Sequence, residues 1–302
     1  MRRKQQTELE VGIARYIKDQ EHRWASATLH ENTVRLARFA ASMGSQTVTA
    51  KAVCSYLREL KQDLREQTVG FHQRTIKAYL KWAALNGYEQ RGIADNVHVR
   101  CRNSPLKRET VTNKEFDKIL EATEELFPTL VGPMKMAYWT GLRASDVWRL
   151  KPEHVDVSIP CITIVPLKTK RLGTQVTIPF EWGTQLGDLI EELLKVTSSG
   201  QTFFPFPSKG TARPTNSFHR KMKKIQEKAG VRRFTFHSLR RTFISNIMNS
   251  GASPQIAGAV VGIRSPVVLA RYAVPQMDGL QEMMETARKY TTRKDRTWNR
   301  RQ

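Results

Sequence analysis

The chain has 302 residues, enough for one large or two modest domains. Lys and Arg number 50 against 28 Asp and Glu, a formal net charge of +22, with 39% hydrophobic residues. That balance excludes wholesale disorder and favours a polyanionic partner, with nucleic acid ahead of an anionic membrane surface. No apolar run is long enough to span a bilayer, and the start Met1-Arg2-Arg3-Lys4-Gln5-Gln6 leads into Glu8 and Glu10 with no apolar signal core. The three cysteines, Cys54, Cys101 and Cys161, are far apart and give neither a disulfide framework nor zinc spacing. A reducing intracellular compartment fits, and neither a metal nor another cofactor is implied.

The periodicity predicts a helical first domain over residues 1–90. One helix runs through Leu9, Ile13, Tyr16 and Ile17. A second runs through Leu29, Val34, Leu36, Ala37 and Ala40 and stops near Gly44. Thr49 is a candidate N-cap for a third, with Val53, Tyr56, Leu57 and Leu60 on one face. A fourth carries Ile76, Tyr79, Leu80 and Ala83, and Gly87 suits its C-terminal stop. Their outer faces hold Arg35, Arg38, Lys51, Arg58, Lys61, Arg74, Lys77 and Lys81. Residues 91–110 lose apolar periodicity and gain Arg100, Arg102, Lys107 and Arg108, which suggests a basic linker able to track a phosphate backbone. Arg74, Lys77, Arg100, Arg102 and Lys107 are the candidate nucleic-acid contacts here.

Thr112-Asn113-Lys114-Glu115 has capping-box spacing and opens a second domain, residues 111–290. Helices follow through Ile119, Leu120 and Leu126, then Leu130, Met134 and Ala137. Two β-rich runs, Cys161 to Val165 and Gln175 to Pro179, flank a basic hairpin, Lys168-Thr169-Lys170-Arg171-Leu172-Gly173. Helices resume from Leu186 to Leu194, Thr215 to Ala229, His237 to Met248, Pro254 to Val261 and Pro266 to Ala273. A last one, near Met277 to Lys289, precedes a basic tail over 291–302. The fold class is mainly α with a small antiparallel β-sheet.

Three sequence boxes carry chemistry: Thr140-Gly141-Leu142-Arg143-Ala144-Ser145-Asp146-Val147, His237-Ser238-Leu239-Arg240-Arg241-Thr242-Phe243, and Val261-Gly262 through Arg271-Tyr272. In order, separation and helical context they resemble the boxes of the tyrosine recombinase (phage integrase) family. The resemblance spans roughly Thr110 to Pro275, and the helical first domain looks like that family's core-binding, SAM-like domain. It implies a DNA clamp and a site-specific DNA recombinase that cuts and rejoins strands through a 3′-phosphotyrosyl link. It also implies a homotetramer on paired sites in double-stranded DNA, usually with a C-terminal segment exchanged between subunits. Met277 to Tyr290 suits either that exchange or packing on its own domain. Accessory proteins and the DNA target are not legible, and location follows the DNA.

The chemistry agrees. Attack on a phosphodiester builds charge on its non-bridging oxygens, and arginine offers a rigid, permanently charged fork of donors. Arg143 and Arg240 take that role, and His237, on the same helical face as Arg240, orients the phosphate or accepts a proton. Tyr272 matches the family's nucleophile, although spacing alone leaves Tyr290 open; a phenol of pKa about 10 needs a base or a strongly cationic site. Lys168 resembles the family's general acid, with Lys170 as the rival. One position departs: Ile263 stands where the family usually has His or Trp, so one donor to the phosphate is missing. Such a loss costs about 10²–10³ in rate. Two alternatives follow, a weakened or inactive DNA-binding relative and a type IB topoisomerase-like enzyme.

Overall fold

The computed structural model describes residues 7–102, 110–205 and 216–270. The chain divides into two compact units, Met1–Leu106 and Lys107–Gln302.

The first unit is built from four helices. α1 (Glu8–Gln20) opens on a capping box the periodicity alone did not suggest: the Thr7 side chain accepts from the Glu10 amide while Glu10 reaches back to Thr7. α2 (Ser26–Met43) ends at Gly44, α3 (Ala50–Asp63) starts from Thr49, whose side chain accepts from the Ala52 amide, and α4 (Glu66–Leu85) is followed by Gly87 at φ +76°. Leu9, Ile13, Leu36, Phe39, Val53, Leu57, Ile76 and Leu80 form the core. Around the Tyr16 ring stand Trp24, Tyr79 and Trp82, with centroids 5.4–5.7 Å away.

Residues 91–102 correct the linker expectation. A short 3-10 turn over Ala94–Asn96 leads into Val97 and Val99, and Ile93, Ala94, Val97 and Val99 are buried in the first unit's core. The Val99 amide donates to Gln73 Oε1 at 2.9 Å. Three lysines read as outward charges hold this strap: Lys61 Nζ reaches the Arg100 carbonyl at 2.6 Å, Lys77 Nζ the Val97 carbonyl at 3.1 Å, and Lys81 pairs with Asp95 at 3.3 Å. Four apolar residues without a helical period leave little sequence signal against Arg91, Arg100 and Arg102. Lys107 lies outside the described residues.

The second unit starts with α5 (Asn113–Leu126), capped by the Thr112–Glu115 box as read, and α6 (Val131–Thr140). After the single turn α7 (Ala144–Val147) come β1 (Val155–Asp156), β2 (Cys161–Ile164) and β3 (Val176–Pro179), an antiparallel sheet in the order β1-β2-β3. The register pairs Ile162 with Ile178 and Ile164 with Val176, and all four are buried. α8 (Gln185–Val196), α9 (Asn216–Ala229), α10 (Phe236–Asn249), α11 (Pro254–Val261) and α12 (Pro266–Ala270) complete the described fold. Trp148, fully buried, packs with Phe218 and Phe236 at the centre of the main core. Ile244, Ala257, Val261 and Leu269 form a smaller core joining α10, α11 and α12.

Two sheet details go beyond expectation. β1 was not anticipated, since two residues are too few to show alternation. β2 and β3 pair as the expected hairpin, and its basic connection folds as a 3-10 turn over Leu167–Leu172, a local form that the sequence did not specify. The expected continuation to Ala273, the Met277 to Lys289 helix and the basic tail lie outside the described residues. Among the described residues no helix is long and apolar enough to cross a membrane.

Ile76 is fully buried on α4. Ile76→Ala is expected to cost about 2–5 kcal/mol in the first unit. Urea unfolding of the full chain should show one transition moved to lower denaturant and the other unchanged.

Candidate active site

α6 stops at Gly141, which adopts φ +64°, and a Cβ there would sit 2.3 Å from Phe243 Cδ1. Only glycine satisfies both the left-handed turn and this close approach to α10. The turn sets Arg143, half-buried in extended conformation, at the N-terminus of α7.

Arg240 is the most enclosed cation of the site, only 1% exposed. Its Nη1 donates to the Gly141 carbonyl at 2.5 Å and its Nη2 to the Val261 carbonyl at 2.7 Å. One guanidinium thereby ties the first box, the His-x-x-Arg box and the start of the last box together. Two residues on, Thr242 Oγ1 accepts from the Val111 amide at 2.8 Å and anchors the entry of the second unit to α10.

Asp146, three residues after Arg143, has no solvent exposure. Its Oδ1 accepts from the Leu167 amide at 2.8 Å and lies 3.7 Å from Arg149 Nη1. Burial pushes this carboxyl above the usual range, opposed by the Leu167 amide and by the cations of Arg143, Arg149 and Arg240. In sequence Asp146 is only a near neighbour of Arg143. In the fold it holds the loop that carries Lys168, a contact 21 residues away that only the tertiary structure makes.

His237 sits in the first turn of α10, behind the Thr235 cap. The residue is exposed to solvent. The surrounding protein still strips hydration from the imidazole, and Arg241, Arg240, Arg143 and Lys168 repel its protonated form, bringing its pKa down to about 4. Four cations from three sequence-distant segments therefore converge on one neutral imidazole. Arg241 is a member that the sequence reading passed over. Lys168 and Lys170 are both exposed on the 3-10 turn.

Gly262 takes φ +66° as the C-cap of α11, and a Cβ on it would lie 2.8 Å from Val176 Cγ2 of β3. Ile263 follows, half-buried against the small core of Ile244, Ala257, Val261 and Leu269. The side chain that lacks a donor thus has a packing role, and its amide donates to the Gly258 carbonyl at 2.9 Å. Arg264 is exposed. Tyr272 and Tyr290 lie outside the described residues. Arg74, Lys77, Arg100 and Arg102 belong to the first unit, where Arg74, Arg100 and Arg102 are exposed. Among the described residues no three His, Cys, Asp or Glu side chains are grouped to hold a metal ion.

The chain is 24% identical over 246 residues to the tyrosine recombinase XerC of Oceanobacillus iheyensis, covering 78% of this chain and 79% of that one. Its fold matches a lambda integrase dimer bound to a COC′ core site with TM-score 0.74 at 18% identity, covering 89% of this chain and 96% of that one. A lambda integrase tetramer bound to a Holliday junction matches with TM-score 0.73 at 18% identity, covering 88% and 77%. The model of the phage integrase family matches residues 109–278. Fold and sequence together define the class, a tyrosine-type site-specific DNA recombinase. The chain belongs to the phage integrase family.

Two predictions follow from the site. Asp146→Ala frees the Leu167 amide and loosens the Lys168 loop, so single-turnover DNA cleavage should fall about 10²-fold, while Asp146→Asn, which keeps an acceptor, should lose less. DNA affinity measured in parallel should change little for either. Second, the His237 resonance should titrate near about 4 in the free protein, well under the ordinary histidine value. Because the unfolded chain binds this proton first, His237 removes stability as pH falls from about 6.5 towards its folded value. Binding a phosphodiester anion should raise the pKa, which NMR of the DNA complex reads directly.

Proposed function

We propose that this recombinase cuts and rejoins double-stranded DNA through a 3′-phosphotyrosyl intermediate, with Arg143, Lys168, His237, Arg240 and Tyr272 as the catalytic set. The observation that carries this reading is Arg240, which joins the first and last boxes to the helix of His237, while Asp146 holds the loop of Lys168; the cations of Arg241, Arg240, Arg143 and Lys168 add to burial in lowering the His237 pKa. Such a cluster suits a phosphodiester whose negative charge grows during attack.

Tyr272 Oη attacks phosphorus; its bond to phosphorus forms as the bond to the 5′ oxygen breaks. His237, unprotonated above about pH 4, takes the phenolic proton. Lys168 gives a proton to the departing 5′ oxygen, leaving a free 5′-hydroxyl. Its effect on His237 supports Lys168 over Lys170 in this role. Rejoining runs the same steps backwards with a 5′-hydroxyl from either strand. The bond energy stays in the phosphotyrosyl link, so no nucleotide is consumed, and the arginines supply the positive charge that a metal ion supplies in other phosphoryl-transfer sites.

Arg143 and Arg240 hold the non-bridging oxygens, and the carbonyls that fix Arg240 pre-set its plane. Ile263 leaves the phosphate one donor short and sets a slower chemical step. Arg100, Arg102, Lys107 and Lys170 contact DNA phosphates, and Arg74 also faces the DNA; Lys77, engaged with the Val97 carbonyl, contributes mainly charge. The likeness to the lambda integrase tetramer supports a homotetramer on paired sites.

Trapping tests the nucleophile. Wild type in EDTA with nicked suicide duplexes from DNA flanking the gene should give a slow-migrating adduct on a denaturing gel, and Tyr272→Phe should give none while still binding. An adduct that persists in Tyr272→Phe and disappears in Tyr290→Phe moves the nucleophile to Tyr290.

A further inference from the structure

On the first unit, α2 and α4 present a side-chain cluster that strand transfer does not use. Phe71 of α4 is 40% exposed, and its ring carries two guanidiniums: Arg74 Cζ lies 4.6 Å from the centroid and Arg35 Cζ 5.4 Å. The two arginines differ in what else they touch. Arg35 Nη1 donates to Asn32 Oδ1 at 2.9 Å and its Nη2 to Glu31 Oε2 at 2.7 Å. The same Asn32 oxygen accepts from Thr75 Oγ1 of α4 at 3.0 Å, so it brackets the two helices at this level. Arg35 is a clamp whose charge Glu31 offsets.

Arg74 is exposed, and among the described residues the Phe71 ring is its one partner. Contact with an aromatic face restrains a guanidinium and uses none of its N–H groups. The side chain thus keeps its five donors on a helix while its Cζ is held 4.6 Å from the ring centroid. A phosphate accepts such a fork too, yet a flexible lysine also serves it as a point charge. A guanine edge in the major groove is more demanding: its O6 and N7 take two parallel N–H bonds from one fork, and the plane must be right before both form. The exposed Phe71 ring beside the fork also offers an apolar surface to a neighbouring thymine methyl.

We infer that Arg74, held on Phe71 and braced by Arg35, Asn32 and Glu31, reads a guanine in the recombination site and sets part of its sequence preference. Phe71 is the positioning residue and Arg74 the one that touches DNA. This rests on the recombinase reading above, and the experiment separates the two.

The full chain is used to select from a pool of duplexes with a randomised central stretch, and affinities for the preferred duplex and its single-base substitutions are then measured over a range of salt. Arg74→Lys should flatten the preference for one guanine by about five- to a hundredfold while lowering affinity for unrelated DNA no more than Arg58→Ala does. Phe71→Leu should flatten the same position, Phe71→Tyr should preserve it, and the Phe71→Leu, Arg74→Lys double variant should be no flatter than either alone. If Arg74→Ala weakens every duplex equally and lowers the salt slope by about one, Arg74 is a phosphate contact and the inference fails. If neither substitution changes affinity or preference, the stack only shelters Phe71, and the inference fails again. A wild-type chain that forms the covalent adduct while the variants keep full preference sinks base readout alone; one that neither selects a sequence nor forms an adduct sinks both readings.

Discussion

The second unit depends on where one buried charge is placed. Arg240 is almost wholly enclosed, and its two terminal nitrogens bind the Gly141 and Val261 carbonyls. Both carbonyls stand at helix C-termini, where intrahelical donors have run out and the helix dipole leaves negative charge. The guanidinium therefore satisfies backbone groups that would otherwise be costly to bury, and fixes α6, α10 and α11 relative to one another. The shape of residue 141 follows from this arrangement. A side chain there would strike Phe243 on the same helix that carries Arg240.

Around that anchor the site is charged in advance of any substrate. Cations from the first box, the β2–β3 loop and α10 share a small volume, which favours a neutral His237 and an anionic guest. One buried carboxylate, Asp146, offsets part of this charge and ties down the loop that supplies Lys168. The pattern is one of electrostatic preorganisation, in which the protein bears the cost of assembling like charges during folding rather than at the moment of reaction. Ile263 fits the packing side of that arrangement: it trades a donor for apolar contact with the small core under α10 and α11.

The first unit divides its basic residues by task. Lys61, Lys77 and Lys81 hold the 93–100 strap onto α3 and α4, while Arg35 is neutralised within its own helix. Counting charges along the sequence treats these residues alike. Their hydrogen bonds separate those that build the fold from those, such as Arg74, whose guanidinium rests on an exposed ring.

The sequence by itself determined the helices and the family. The Thr49 cap, the Thr112–Glu115 box and the glycine stop at Gly44 are local signals that act within a turn of chain, and the structure places helix ends at each. The boxes that hold Arg143, His237 and Arg240 stand out in sequence by their order and separation, which resemble those of the family. Only the tertiary structure decided what depends on long-range contact: β1, the folded strap after residue 90, the 3-10 turn carrying Lys168, and the bond from Asp146 to Leu167. It also decided that Ile263 is a packing residue and that Arg241 stands beside His237. The reason is physical: caps and periodicity are set by neighbours in sequence, whereas burial and electrostatic environment are set by segments that meet only once the chain has folded.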